Sequence, residues 1–244
     1  MERSKYYVMS LMLGFIFLMI EGVSAQNSSS QLLNAYLNGD MSSWRSYIDQ
    51  AQLRSDLSVE QRVELLDYEY GYIAYLLSIN KKKEASAMLK KAILLLQSLP
   101  NWEEDAKLLS LMSAFNGFRI ALSPLKAPFL GPQAQDYAEK AIRIAEDQPW
   151  GYIQMGNIKN YAPSIFGGNK QEALTYYQTA QKLFKTNMSD TYVDNWQYLN
   201  LVIAIADVWF QNKNKAEAQK LYVYLIELHP DFKWVRDELQ FRTK

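Results

Sequence analysis

Cysteine is absent from the 244 residues and histidine occurs once. The first absence excludes disulfides, thiolate metal sites, a cysteine nucleophile and a lipidated N-terminal cysteine. The second excludes histidine-rich metal centres and leaves His229 as the only imidazole for a Ser-His-Asp arrangement. Neither sign of charge is in excess, with 26 Lys and Arg against 26 Asp and Glu. That balance argues against nucleic acid or an anionic membrane as the main partner. Glycine (10) and proline (7) are scarce, while aromatics reach 14% with 17 tyrosines. Such a mixture argues against a disordered chain and suits a helical globular protein.

One apolar run stands near the start. Arg3 and Lys5 precede Val8 to Ile20, and Val23-Ser24-Ala25 follows with small residues. This is the layout of a secretory signal, expected to be cleaved after Ala25. At 13 residues the run is too short to cross a bilayer, which takes roughly 20. Cleavage removes Glu2, Arg3, Lys5 and Glu21 and leaves the balance at zero. No later stretch could span a membrane. The expected domains are therefore the signal (1–25), lead-in and capping helices (26–56), and a helical domain (57–244), in an exported protein of the periplasm or exterior.

From Gln31 onward apolar residues recur at helical spacing, as in Val63, Leu66, Tyr70, Ile73 and Leu77. Similar faces recur to residue 241, and Pro100, Pro124–Pro132, Pro149, Pro163–Gly168 and Pro230 separate them. About eleven helices follow, mostly as antiparallel pairs. A repeat runs through them. Ala206 is followed by Ala218, Tyr222, Leu225 and Pro230; Gly156 by Ala173, Tyr177 and Ala180; Gly117 by Ala134, Ala138 and Ala141; Gly71 by Ala85, Leu89 and Ala92. These spacings match the 34-residue tetratricopeptide (TPR) pattern, with a small residue where two helices cross closely. Asn169 and Asn214 each open an Asn-Lys-x-Glu-Ala stretch, and Asn80 opens a variant with one more residue. Each is expected to cap a second helix, with the Glu completing a capping box. The Lys81–Lys83 run then reads as a solvated turn, and Glu103-Glu104-Asp105 as first-turn acids favoured by the helix dipole.

Trp150 to Phe184 resembles a unit of exported TPR-like proteins of Bacteroidota. The residues that carry the likeness are Tyr161-Ala162-Pro163-Ser164-Ile165-Phe166-Gly167-Gly168, with Lys170 and Ala173 after them. The resemblance implies a right-handed stack of helix pairs with a role in protein interaction; it does not imply a reaction. Pro163, Phe166, Gly167 and Gly168 form an insertion loop, since Gly156 to Ala173 is five residues longer than in an ordinary unit. Phe166 is expected to plug the gap between helix pairs, with a ligand-binding loop as the other reading. Gly117 to Ala134 is equally long, with Pro124, Pro128, Gly131 and Pro132 in the added part.

With the small residue as position eight, positions two, five, nine and twelve of each first helix should line a concave groove. The candidate partner-binding residues are Tyr68, Tyr72, Tyr75, Phe118, Trp150, Asn157, Asn160 and Phe210. An alternative has these aromatics packing against the helices at 31–53. His229, before Pro230 at a helix end, is expected to interact with the helix dipole. No catalytic residue, metal or cofactor is indicated. The expected function is a non-catalytic scaffold binding a protein segment or small apolar ligand. Alternatives are a periplasmic accessory subunit for solute uptake with an apolar cavity, and a hydrolase using two carboxylates.

Overall fold

The computed structural model describes residues 29–243, so the signal assigned to residues 1–25 lies outside the described residues. Among these residues every regular element is helical. Helix α1 covers 29–38. Then follow α2 (Met41–Gln52), α3 (Val59–Ser78), α4 (Lys82–Gln97), α5 (Ala106–Leu122), α6 (Ala127–Ile144), α7 (Pro149–Tyr161), α8 (Lys170–Asn187), α9 (Trp196–Gln211), α10 (Lys215–Leu228) and α11 (Lys233–Asp237). The pairs α3/α4, α5/α6, α7/α8 and α9/α10 are neighbours in space, and each packs on the next. Their connections are short, so partners run antiparallel.

Local chemistry explains most helix starts. Asn169 accepts from the backbone of Gln171 and Glu172, and Asn214 from that of Glu217. The reciprocal arm of the expected boxes is not made there: Glu172 accepts from the Asn169 side chain, and Glu217 pairs with Lys220. The complete capping box lies elsewhere, between Ser58 and Gln61 at the start of α3. Asn80 is not a cap; it adopts a left-handed turn at φ 60°, a conformation Asn tolerates better than most residues. Asp105 does cap α5, accepting from Leu108 at 2.9 Å. The proline-rich stretch expected as a loop is largely helix, because Pro128 falls in the first turn of α6 and only Pro132 lies inside it.

Two apolar cores result. One gathers α2, α3, α4 and α5 around Trp44, Ile73, Ala92 and Phe115; the other gathers α8, α9 and α10 around Tyr177, Tyr198, Val202 and Tyr222. Helix α1 contributes Leu32 and Ala35 to the first and Leu37 to the second. The row of first helices also curls. Gln197 of α9 donates to Asp67 of α3 at 3.2 Å, and Gly71 lies against Trp196 and Trp44. Tyr36 of α1 sits over this seam, 6.0 Å from both Trp44 and Trp196. The expected open groove is thus closed along one side.

Candidate functional site

Inside the curl lies a slot. Its wall is formed by Tyr70 of α3, Lys107 and Ser110 of α5, Trp150, Gln154 and Asn157 of α7, and Trp196, Gln197 and Asn200 of α9. The space is narrow, about 30 Å³, or room for roughly two waters.

An ion pair forms its floor. Lys107 Nζ lies 2.9 Å from Asp67 Oδ1, with the two side chains 16% and 17% exposed. The same ammonium stands 3.2 Å from the centre of the Trp150 ring, a cation–π contact in a partly desolvated place. Burial pushes the Asp67 carboxyl up, opposed by Lys107, and pushes the Lys107 amine down, opposed by Asp67. Each charge therefore depends on the other for its stability there. Around them runs a chain of amides and phenols. Tyr177 donates to Asn157 Oδ1 at 2.8 Å, and Asn157 Nδ2 donates to Gln154 Oε1 at 3.0 Å. Tyr36 donates to Asn200 at 3.3 Å. Phe118 stacks on Tyr70 with centroids 5.6 Å apart and planes 20° from parallel.

Of the groove residues read from sequence, Trp150 and Asn157 line the slot and Phe118 backs it through Tyr70. Tyr68 and Tyr72 do not face it. Both are buried, with Tyr68 packed on Trp44 and Tyr47, and Tyr72 near Arg45 and Tyr75. For these the reading as packing against the N-terminal helices describes the structure. Asn160 is buried and accepts from Lys170 Nζ twice, through its backbone and side-chain oxygens, at 2.6 Å each. Phe210 lies apart, under the Arg242 guanidinium.

The cause is a misplaced register. Gly156 does occupy a close crossing, where an added Cβ would fall 2.4 Å from the Tyr177 ring. Gly117 faces open space, and it is Ser113 that meets α6, donating to the Ala134 carbonyl at 2.7 Å. Gly71 is crowded by Trp196 and Trp44 rather than by α4. Counting twelve residues back from Ala85, as from Ala218 to Ala206, selects Ile73 instead. That ladder contains Asp67 and Tyr70, and the one from Ser113 contains Lys107 and Ser110. The spacing from Ile73 to Ala85 equals the 12 residues from Ala206 to Ala218, whereas Ser113 to Ala134 spans 21.

The insertion loop is also not a plug. Phe166 is 59% exposed and Ile165 86%. A compact turn holds them outward: the amides of Phe166 and Gly168 both donate to the Pro163 carbonyl, and Gly167 takes φ 85°. Gly168 admits no side chain, since a Cβ there would sit 1.8 Å from the Ala162 oxygen. His229 ends α10, but its ring bonds to the Val193 carbonyl at 2.8 Å. Among the described residues no cluster of metal-binding side chains occurs, and no helix is long and apolar enough to cross a membrane.

No protein-family model matches the chain, and no curated protein does. Solved structures do. The HusA haemophore from Porphyromonas gingivalis is similar with a TM-score of 0.55 and 16% identity, over 78% of this chain and 93% of that one. BtubC from P. vanneervenii is similar with a TM-score of 0.39 and 13% identity, over 86% of each chain. At such identities the first likeness is one of fold, and the second supports no argument.

Proposed function

We propose that the chain is an exported, non-catalytic binding scaffold of the TPR-like class, which binds a segment of a partner protein across the opening of the slot between Trp150 and Trp196, the slot itself admitting no more than one small group. The observation that carries this reading is the Lys107 ammonium held at once by Asp67 and by the Trp150 ring. A buried ion pair is a poor way to stabilise a fold, because desolvation of both ions opposes their attraction. A lysine held on a ring at the floor of a narrow slot does, however, present a cation and a ring edge to a ligand group. Asn157, Gln154 and Asn200 can offer both donors and acceptors to a peptide backbone, and the rings supply rigid apolar area. The slot's carboxylate, Asp67, is already engaged by Lys107 and Gln197, which speaks against two-carboxylate hydrolysis. The mixed polar lining likewise favours a peptide over a purely apolar solute.

A second reading, capture of a flat tetrapyrrole, takes its support from the haemophore neighbour and from the aromatic walls. One experiment separates the two. A photoreactive phenylalanine analogue at Ile153, inside the slot, should crosslink a defined peptide of an envelope protein, and the crosslink should vanish with Trp150→Ala. Haemin that binds the wild type stoichiometrically and blocks this crosslink would establish the second reading. A crosslink unchanged by Trp150→Ala would refute the slot as the site.

A further inference from the structure

The zero net charge conceals a separation of charge between the two edges of the stack. The connections after α4, α6, α8 and α10 (98–105, 145–148, 188–195 and 229–232) hold eight Asp or Glu and no Lys or Arg. Those after α3, α5, α7 and α9 (79–81, 123–126, 162–169 and 212–214) hold three Lys and no acid, and Lys82, Lys83, Lys170 and Lys215 follow at the helix starts, against Lys107 and Lys233 on the first set. Antiparallel pairing places the first set along one edge and the second along the other. Glu84, Glu172 and Glu217 stand further inside the helices, beside Lys81, Lys159 and Lys220. The α2–α3 turn, with Arg54 and Asp56 paired, is neutral.

The basic edge also carries several strongly exposed apolar side chains, while Leu53, 87% exposed, stands in the α2–α3 turn. Leu125 is 89% exposed, Ile165 86% and Phe166 59%, in the connections after α5 and α7, and Phe129, in the first turn of α6, is 75% exposed. They are displayed on rigid supports. Pro124–Lys126 forms a 3₁₀ turn, and the Pro163–Gly168 turn is closed by the hydrogen bonds and glycines described above. Lys82 and Lys215 each occupy the first position of a helix, where the dipole opposes a cation, so helix stability does not account for them, whereas Lys170 is held by Asn160 at the end of α7.

We propose that this edge docks the protein on an anionic lipid surface, with the two apolar tips entering the headgroup region and the lysines lying along it. Apolar side chains on protruding turns flanked by cations have the form of an interfacial anchor, and each surface lysine strengthens attraction to anionic lipid. A protein partner is disfavoured by composition, since lysine is depleted in protein interfaces and this edge is lysine-rich without arginine. A balanced total excludes a uniformly basic surface, not a segregated one.

The absence of cysteine makes the test site-specific. Ser164→Cys and Ala121→Cys on the basic edge, and Glu104→Cys on the acidic edge, are each labelled in the exported chain with an environment-sensitive fluorophore. They are then titrated with vesicles of phosphatidylglycerol and phosphatidylcholine, or of phosphatidylcholine alone. Emission should rise several-fold at 164 and 121 with the anionic vesicles and stay flat at 104, and high salt should reverse it. Lys81→Gln, Lys82→Gln and Lys83→Gln combined should weaken partitioning roughly tenfold or more, and Ile165→Ser with Phe166→Ser should lower it further while helicity is unchanged. A response at 104 equal to the others, equal binding to uncharged vesicles, or no response at any position would overturn the proposal; the last outcome would leave the edge to a protein partner.

Discussion

Replacing glycine by alanine should have opposite effects at two positions that the repeat pattern makes equivalent. At Gly117 the added methyl meets nothing within 4 Å, and the residue lies inside α5. The substitution there reduces unfolded-chain entropy and improves helix propensity, a gain of roughly 0.5–1 kcal/mol. At Gly156 the same intrinsic gain is offset by the Tyr177 ring, whose carbons would be 2.4 Å from the new Cβ. Tyr177 is fully buried, and its hydroxyl holds Asn157 at 2.8 Å. The ring therefore cannot swing aside without giving up that hydrogen bond, worth about 1 kcal/mol, in addition to an overpacking cost of about 1–3 kcal/mol. The expected net change is a loss of about 1–3 kcal/mol for Gly156→Ala. For a domain of this size that is a fall of roughly 2–10 °C in Tm, against a rise of a few degrees for Gly117→Ala. Urea melts of the two variants beside the wild type supply the assay, with m-values checked for equality. If Gly117→Ala destabilises, or Gly156→Ala melts at or above the wild-type midpoint, the helix crossings have been placed wrongly.

Other outcomes follow from the same geometry. Lys107→Met should cost about 3–5 kcal/mol by stranding the Asp67 charge, and adding Asp67→Leu should recover most of it, as a double-mutant cycle in urea will show. Glu69 is buried with Oε2 unpartnered while Oε1 accepts from Gln52, and burial pushes its pKa up from 4.5 to about 7. The folded state then holds a proton that the unfolded chain releases, so stability should fall by about 3 kcal/mol as pH rises from about 4.5 to about 7 and level off above. Glu69→Gln should flatten that slope in melts across the range. Ala173→Leu, at a fully buried position, should destabilise by about 1–3 kcal/mol, whereas Ala87→Leu, at an exposed one, should not. Intact-mass measurement of the exported protein should find Gln26, or its cyclised form, at the N-terminus; Met1 on the product would refute cleavage after Ala25.

Helices and their limits were legible in the sequence because they depend on interactions within a few residues. Periodicity of Val63, Leu66, Ile73 and Leu77, the capping asparagines Asn169 and Asn214, and the stops at Pro163 and Pro230 all act locally, and the helices lie where they indicate. Pairing of successive helices followed, since short connections leave a chain few alternatives. What faced what was decided only by tertiary packing. A small residue permits close approach without naming the neighbour: Gly156 admits Tyr177, Gly71 admits Trp196 from 125 residues away, and Gly117 admits nothing. That difference moved the inward face of α3 from Tyr68 and Tyr72 to Asp67 and Tyr70, and of α5 from Phe118 to Lys107. The exposure of Phe166 was decided in the same way, because an apolar ring after a proline is buried or displayed according to where its turn is aimed. Composition set the total charge at zero. Only the up-and-down path of the helices sorted that charge onto opposite edges, since net charge is a sum and a surface potential depends on position.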